Sequence, residues 1–212
     1  PKSLIRKGSG YWKYIQQAGG VRFLTWYDYD TRFGVIGRLV DKAFRPLIGW
    51  ATAWSFDRLR LWIEKGIDPA WSLRSSLIHS LARISIAFIW LYQGLVPKLL
   101  FTQRDELVMM REAGIAAGSV SQAVQLFGIA EIVFGIAMLV MWRRRWLFLI
   151  NVGLMVLATL AIILNASEYV VMAFNPVTLN LAVIAFAVIG FLLGNDLPSA
   201  RHCLRRAKGD TA

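Results

Sequence analysis

The sequence predicts a mainly α-helical membrane protein, in which a β-hairpin and a long amphipathic helix precede a bundle of four transmembrane helices. The prediction rests on the composition, on four long apolar stretches and on the distribution of the basic residues. Of the 212 residues, 57% are hydrophobic and only 17% are charged, whereas soluble domains usually carry about 25% charged residues. The lipid bilayer is therefore the first partner that we expect.

The N-terminal segment has the pattern of a hairpin followed by a helix. Aromatic and β-branched residues fill the stretches "YWKYIQQ" and "VRFLTWYDYDTRF", and the "AGG" between them is a turn signal. Apolar residues at helical spacing then predict an amphipathic helix over 38–65, broken or kinked at Pro46. This helix either lies on the membrane surface or stands away from it. We assign 67–80 to a linker because Asp68-Pro69 interrupts the pattern.

Four apolar stretches are each long enough to cross a bilayer, which takes about 20 helical residues. They do not alternate in hydropathy, so they do not resemble the strands of a β-barrel. The turn "WRRRW" between the second and third stretches is short, and it predicts that these two helices are antiparallel neighbours. Asn175 and Pro176 supply an N-cap and a first helical residue for the last stretch. The four stretches cover residues 81–101, 123–142, 146–166 and 174–194.

Basic residues are concentrated on one side of the predicted spans. With both termini in the cytoplasm, 21 of the 24 Lys and Arg residues lie on the inner side, including those of the basic tail 195–212. The sequence therefore predicts a multi-pass protein of the inner (plasma) membrane with cytoplasmic N- and C-termini. The net charge of +11 could also indicate nucleic-acid binding. No basic recognition helix or RNA-stacking motif accompanies it, and we expect no nucleic-acid partner.

Each predicted span carries one polar residue at a similar depth. Counting from the outer ends at about 1.5 Å per residue places Gln93 and Glu131 roughly 12 Å deep, and Thr159 and Asn180 roughly 9 Å deep. Polar groups inside a membrane are costly, and they usually serve a function or pack against one another. We therefore predict an intramembrane polar layer of these four residues. It forms either a structural network or a ligand-binding pocket that opens outward, with Lys98 at its rim.

Glu131 is the only charged residue in "LFGIAEIVFGIAMLVMW". Gly128 and Gly135 share its helical face, so its carboxyl is expected to point into the bundle, where small residues let helices approach. Lys98 is expected about two turns nearer the surface, with its ammonium directed to the outer headgroups. Without a charged partner, the Glu131 carboxyl should be mostly protonated at neutral pH and should bond to the side-chain amides of the polar layer.

The sequence contains no pattern typical of a metal or redox centre. A single cysteine, Cys203, cannot form an internal disulfide, and there is no C-x-x-C pair. His79 and His202 are far apart in sequence, and we expect both at surface or interfacial positions. Paired histidines that could ligate a haem across helices are absent. We therefore assign no metal site, no cofactor and no catalytic residue.

Four motifs in order carry a resemblance to a known family. They are "WLYQGLVPKLLF" in the first span, "AEIVFG" in the second, the "WRRRW" turn and "FNPVTLNLAV" at the start of the fourth. Together they make residues 83–194 resemble the DoxX-like family of four-span bacterial membrane proteins. The resemblance implies a DoxX-like membrane domain over 81–194, followed by the basic cytoplasmic tail.

A second resemblance concerns the N-terminal segment. The stretches "LTWYDYDTRFGVIGRLVD" and "ATAWSFDRLRLWIE" make residues 11–66 similar to the closing hairpin and C-terminal helix of START-like (SRPBCC, polyketide-cyclase-type) domains. In that fold a sheet wraps around a long helix and encloses an apolar ligand cavity. The preceding strands and helices have no counterpart here, so the resemblance implies that 1–66 is a partial domain that cannot close a cavity.

The DoxX-like resemblance leaves three functions open. The first is a non-catalytic subunit that binds a ligand or forms a membrane protein complex. Some relatives are linked to quinone-coupled sulfur oxidation or to membrane redox complexes, so the second is an oxidoreductase component that acts with quinone or another lipid-soluble carrier. The third is a small transporter or a proton path through Glu131. A lipophilic small molecule, such as quinone or a lipid, is the partner that the first two share.

Overall fold

The computed structural model describes residues 5–112 and 114–203. It confirms a mainly helical membrane protein with an N-terminal hairpin, and four of the described helices are long and apolar enough to cross a membrane. The chain divides into a first unit, Pro1–Arg60 with Ser199–Ala212, and a second unit, Leu61–Pro198. The strands and α-helices are β1 (Ile5–Gln17), β2 (Gly20–Thr31), α1 (Gly34–Lys65), α2 (Pro69–Gly94), α3 (Arg104–Glu112), α4 (Val120–Val140), α5 (Trp146–Asn165) and α6 (Pro176–Leu193).

In the first unit, β1 and β2 form the predicted antiparallel hairpin, and their pairing begins at Gln17 and Gly20 beside the turn. Gly10 lets the strands pair closely, because a Cβ at this position would lie 2.6 Å from the carbonyl oxygen of Trp26. On the opposite face, the rings of Tyr11 and Trp26 stack with centroids 5.9 Å apart. Such aromatic cross-strand pairs stabilise a two-stranded sheet.

Helix α1 covers one face of β2. Phe23 meets Phe56 of α1 edge-on, with ring centroids 4.7 Å apart. The Tyr29 hydroxyl donates a hydrogen bond of 2.6 Å to Asp41, also on α1. Burial and this hydrogen bond raise the pKa of Tyr29 to about 12. The hairpin and the helix are thus joined on a single face of the sheet.

Helix α1 continues through Pro46, at which the sequence predicted a break or kink. Proline removes one backbone donor from a helix and crowds the preceding turn. The Pro46 side chain is exposed, and the helix is held against the hairpin on both sides of it, at Asp41 and at Phe56. These tertiary contacts keep the helix unbroken at the proline.

The C-terminal segment of the first unit packs around the buried carboxylate of Asp57. The Ser199 amide donates to Oδ2 at 2.7 Å, His202 Nδ1 lies 2.8 Å from the same oxygen, and Arg60 Nε donates to Oδ1 at 2.7 Å. Burial opposes ionisation of Asp57, but these contacts outweigh it and hold its pKa below the usual 3.8. Their contribution to stability is therefore present above the ordinary carboxyl range and is lost as the pH falls through the folded-state pKa.

In the second unit, helix α2 begins well before the predicted span. Asp68 is its N-cap and accepts hydrogen bonds of 2.8 and 3.0 Å from two amides of the first turn, while Pro69 occupies the first helical position. A capping residue followed by proline is a good helix start. The pair that the sequence analysis took for a linker therefore begins the helix, and most of 67–80 is helical.

The closely packed helix pairs are α2 with α4, α2 with α6, and α5 with α6. The predicted pairing of α4 with α5 is not among them, although a short turn joins the two helices. The physical reason is that side chains of α2 lie between them. Arg83 reaches the Met138 carbonyl of α4 and the Phe148 ring of α5, and Trp90 donates to Asn151 of α5.

Three glycines let α2 and α4 approach closely. A Cβ at Gly94 would lie 2.4 Å from the Gly128 carbonyl oxygen, and one at Gly128 would lie 2.8 Å from the Gly94 carbonyl oxygen. A Cβ at Gly135 would lie 2.8 Å from Leu91 Cγ. Gly128 and Gly135 are buried. The predicted small-residue face of α4 is confirmed, and its partner is α2.

We expect Gly128→Ala to lower the free energy of unfolding by about 1–3 kcal/mol, because the added methyl group overpacks two helix backbones. Gly153→Ala on α5 is the matched control, since a Cβ there meets no atom within 4 Å. Alanine favours a helix over glycine by up to about 1 kcal/mol, so the control should be neutral or more stable. Thermal unfolding in detergent measures both, and equal transition temperatures would contradict the close contact.

Candidate functional site

Lys98 lies in a π-helical turn, Leu95–Leu100, that follows α2. The turn is closed by a hydrogen bond of 3.0 Å from the Phe101 amide to the Val96 carbonyl, and it contains Pro97, which has no amide proton to donate. Such turns are frequent at functional sites because they redirect side chains out of the regular helical pattern. The Lys98 side chain is only 9% exposed, so its ammonium is inside the protein.

The Lys98 ammonium contacts two carboxylates from other helices. Its Nζ donates a hydrogen bond of 3.1 Å to Glu106 Oε1 of α3, and it lies 3.2 Å from Glu131 Oε2 of α4. The second contact is an ion pair that lacks hydrogen-bonding geometry, and Oε2 accepts no hydrogen bond from any described residue. We call Lys98, Glu106 and Glu131 the charged cluster. Formally, it carries one excess negative charge, and one of its carboxylate oxygens has no hydrogen-bond donor among the described residues.

Two predictions about these residues are wrong. Lys98 does not extend to the outer headgroups, and Glu131 does have a charged partner. The reason is the close contact of the helices, because Lys98 Cβ lies 2.9 Å from where a Gly128 Cβ would be. Gly128 is one helical turn before Glu131, and the four-carbon side chain of lysine is long enough to span that turn.

The polar residues of α5 and α6 form a separate group. Asn180 Nδ2 donates to Thr159 Oγ1 at 3.0 Å, and this hydroxyl donates to the Met155 carbonyl at 2.7 Å. Gln93 is half-buried and, within the part of the chain that the structure describes, makes no hydrogen bond to the other residues of the polar layer. The structure thus brings together two pairs, Lys98 with Glu131 and Thr159 with Asn180, and leaves Gln93 apart.

Sequence reasoning missed a second buried cation, Arg83 of α2. Its guanidinium donates to the carbonyls of Met138, Met141 and Arg144 at 2.8, 3.0 and 2.8 Å, and it lies 4.6 Å from the Phe148 ring centroid. The last carbonyls of a helix have no partner within the helix and attract cations. Arg83 therefore closes the end of α4. The signal that could have revealed it is an arginine inside the apolar pattern of the first span, at a position that the count of basic residues assigns to the cytoplasmic flank.

The expectation that His79 lies at the surface or an interface is also wrong. The residue is 2% exposed, its Nδ1 lies 2.9 Å from the Gly190 carbonyl oxygen, and its ring meets Phe148 edge-on with centroids 5.4 Å apart. Such packing fits a structural role between α2 and α6. Among the described residues, no group of three or more His, Cys, Asp or Glu side chains is arranged to hold a metal ion.

We expect Lys98→Met to lower the free energy of unfolding by up to about 3 kcal/mol, because it leaves two half-buried carboxylates, 16% and 18% exposed, without a counter-charge. Glu106→Gln should cost about 1 kcal/mol or less, since it keeps the pair of Lys98 with Glu131 and preserves an acceptor at position 106. Chemical denaturation in detergent measures the difference. If the two variants were equally stable, the charged cluster would not contribute to the fold.

Comparisons with known proteins agree with the membrane fold. Residues 87–188 match the DoxX-like family. A Bacillus subtilis (strain 168) protein described as "uncharacterized membrane protein YndG" is 42% identical over 149 residues, which are 69% of this chain and 47% of that relative. The chain thus spans about half the length of this curated relative. No solved structure matches the chain. The chain is therefore a membrane protein, and its residues 87–188, which include Gln93, Lys98, Glu131, Thr159 and Asn180, are similar to the DoxX-like family.

Proposed function

We propose that the chain is a DoxX-like membrane subunit that catalyses no reaction itself and binds a small ligand at the charged cluster. The observation that carries the proposal is the buried Lys98 ammonium, which two carboxylates share while Glu131 Oε2 accepts no hydrogen bond from a described residue. A buried acceptor without a donor costs free energy. A bound molecule that donates a hydrogen bond to Oε2 would recover that free energy.

The charges of the cluster limit the chemistry of this ligand. With two carboxylates and one ammonium, the cluster disfavours an anion and favours a neutral or cationic molecule with an N–H or O–H group. Thr159, Asn180 and Gln93 would supply further polar contacts if the ligand extends toward α6. The same donor could also belong to a side chain of a partner protein, which is how the cluster would serve a complex-forming subunit.

For the first unit we propose the closing part of a START-like domain. The hairpin β1–β2 with helix α1 packed across one face supports the proposal, as does the sequence similarity over 11–66. The same proposal includes a domain boundary at about residue 66 and a C-terminal tail over 195–212. A structure in which further strands extend the sheet beside β1 or β2 would support it, and one in which both edges stay open would contradict it.

We also propose the plasma membrane as the location, with both termini in the cytoplasm. The support is the excess of Lys and Arg on one side of the spans. In the same orientation the charged cluster lies toward the outer side, and Arg83 lies toward the cytoplasm.

The ligand proposal is tested by purifying the full chain and identifying the small molecules that remain bound, by mass spectrometry and by the visible spectrum. We expect Glu131→Gln to reduce the bound molecule about tenfold or more, because a hydrogen bond to a charged group contributes about 1.5–3 kcal/mol. Glu112→Gln removes an exposed carboxylate from α3 and should leave the amount unchanged.

Other outcomes of this experiment would replace the proposal. A chromophore or a stoichiometric quinone would favour an oxidoreductase component. Proton flux in liposomes that Glu131→Gln abolishes, without any bound molecule, would favour a proton path. A co-purified membrane protein that is lost in Glu131→Gln would favour complex formation.

The orientation is tested by labelling single cysteines in cells with a thiol reagent that does not cross membranes, in a Cys203→Ser background. Ser119→Cys, in the connection between α3 and α4, should react from outside. Arg201→Cys, in the C-terminal segment, should react only after the membrane is permeabilised. Both positions are exposed. External labelling at Arg201→Cys would contradict the proposed orientation.

A further inference from the structure

The face of the hairpin that is turned away from α1 has its charges sorted along the strands. Near the turn it carries two basic residues and no acidic residue, and it combines them with aromatic and aliphatic side chains. Farther from the turn, Asp28 and Asp30 lie opposite Ser9 and Lys7, and the Asp28 carboxylate also pairs with Arg45 of α1 at 3.3 Å. We call the part near the turn the hairpin patch, and its cross-strand pairs are Ile15 with Arg22, Lys13 with Leu24, and Tyr11 with Trp26.

The hairpin patch is open to its surroundings. Tyr11 is 53% and Trp26 49% exposed although their rings stack. Lys13 is exposed and Arg22 is half-buried. The contacts of α1 described above are made with the opposite face, through Phe23 and Tyr29. The hairpin therefore presents amphipathic aromatic rings beside two cationic side chains, a combination that is typical of the boundary between a membrane and water.

We propose that the hairpin patch docks on the anionic headgroups of the membrane that the second unit spans. Tyrosine and tryptophan rings favour the headgroup level, and Lys and Arg are attracted by the negative potential of anionic lipids. Because the same chain crosses the membrane, the hairpin is covalently tethered to a lipid surface, and a weak contact is enough for docking.

Lipid fits this face better than the other possible occupants. A strand that completes the sheet would pair with the backbone at an edge of the hairpin and would leave the face uncovered. A second copy stacked in parallel on the same face would bring Lys13 and Arg22 against their own counterparts, and like charges at close range repel. An antiparallel copy is distinguished by the comparison of one with two copies per disc. An anionic surface complements these two charges.

The test uses the full chain with Cys203→Ser and a nitroxide on Ala18→Cys in the hairpin turn. The protein is placed, one copy per disc, in nanodiscs of phosphatidylcholine alone or mixed with phosphatidylglycerol. Electron paramagnetic resonance then measures how accessible the nitroxide is to a water-soluble nickel chelate and how accessible it is to oxygen. With phosphatidylglycerol we expect the nitroxide to lose access to nickel and to gain access to oxygen, and high salt should reverse both changes.

The variant Lys13→Gln/Arg22→Gln should lower the ratio of docked to undocked protein about 25-fold. Each basic residue near an anionic surface raises this ratio about fivefold. Arg38→Gln/Lys42→Gln is the matched control, since it removes two exposed charges from α1 and should leave docking unchanged. Three results would overturn the proposal: equal accessibility in both lipid compositions, equal loss in the control, or protection that appears only with two copies per disc.

Discussion

The contact of α2 with α4 at Gly94 and Gly128 is the constraint on which the membrane domain depends. Neither position has room for a Cβ, since each would meet the backbone of the other helix at less than 3 Å. The approach brings the backbone at Lys98 beside α4, and the lysine reaches Glu131 for that reason. Three turns earlier on α2, Arg83 meets the last carbonyls of α4. Both buried cations are thus directed by one helix pair.

The two cations are stabilised in different ways. Arg83 is surrounded by backbone carbonyls and an aromatic ring, which carry partial charges but do not ionise. Lys98 is paired with two carboxylates, and its single positive charge neutralises only one of them. The Arg83 end is suited to holding helices together. The Lys98 end retains an acceptor for a ligand, so the proposed function is assigned there and not to the more deeply buried arginine.

The first unit illustrates the limits of a two-stranded sheet. Helix α1 covers one face through Phe56 and Asp41, and two strands alone supply too little apolar surface to be stable without such a partner. The other face keeps exposed aromatic rings next to basic residues. In a soluble protein this would favour aggregation, whereas a chain that is anchored in a membrane offers a lipid surface for the same side chains.

Local pattern was sufficient for most elements of this protein, and only the tertiary structure decided what its polar side chains contact. Hydropathy and length predicted four spans, alternation predicted the hairpin, and Asn175 is the predicted N-cap, accepting a hydrogen bond of 2.9 Å from the Thr178 amide. These features depend on neighbours within one helical turn or along one strand. The contacts of the Lys98 and Arg83 side chains depend instead on which residues face them from α4 and α5. That arrangement follows from the contact of α2 with α4 at Gly94 and Gly128. Counting residue depth along a single helix cannot reveal a contact between two helices.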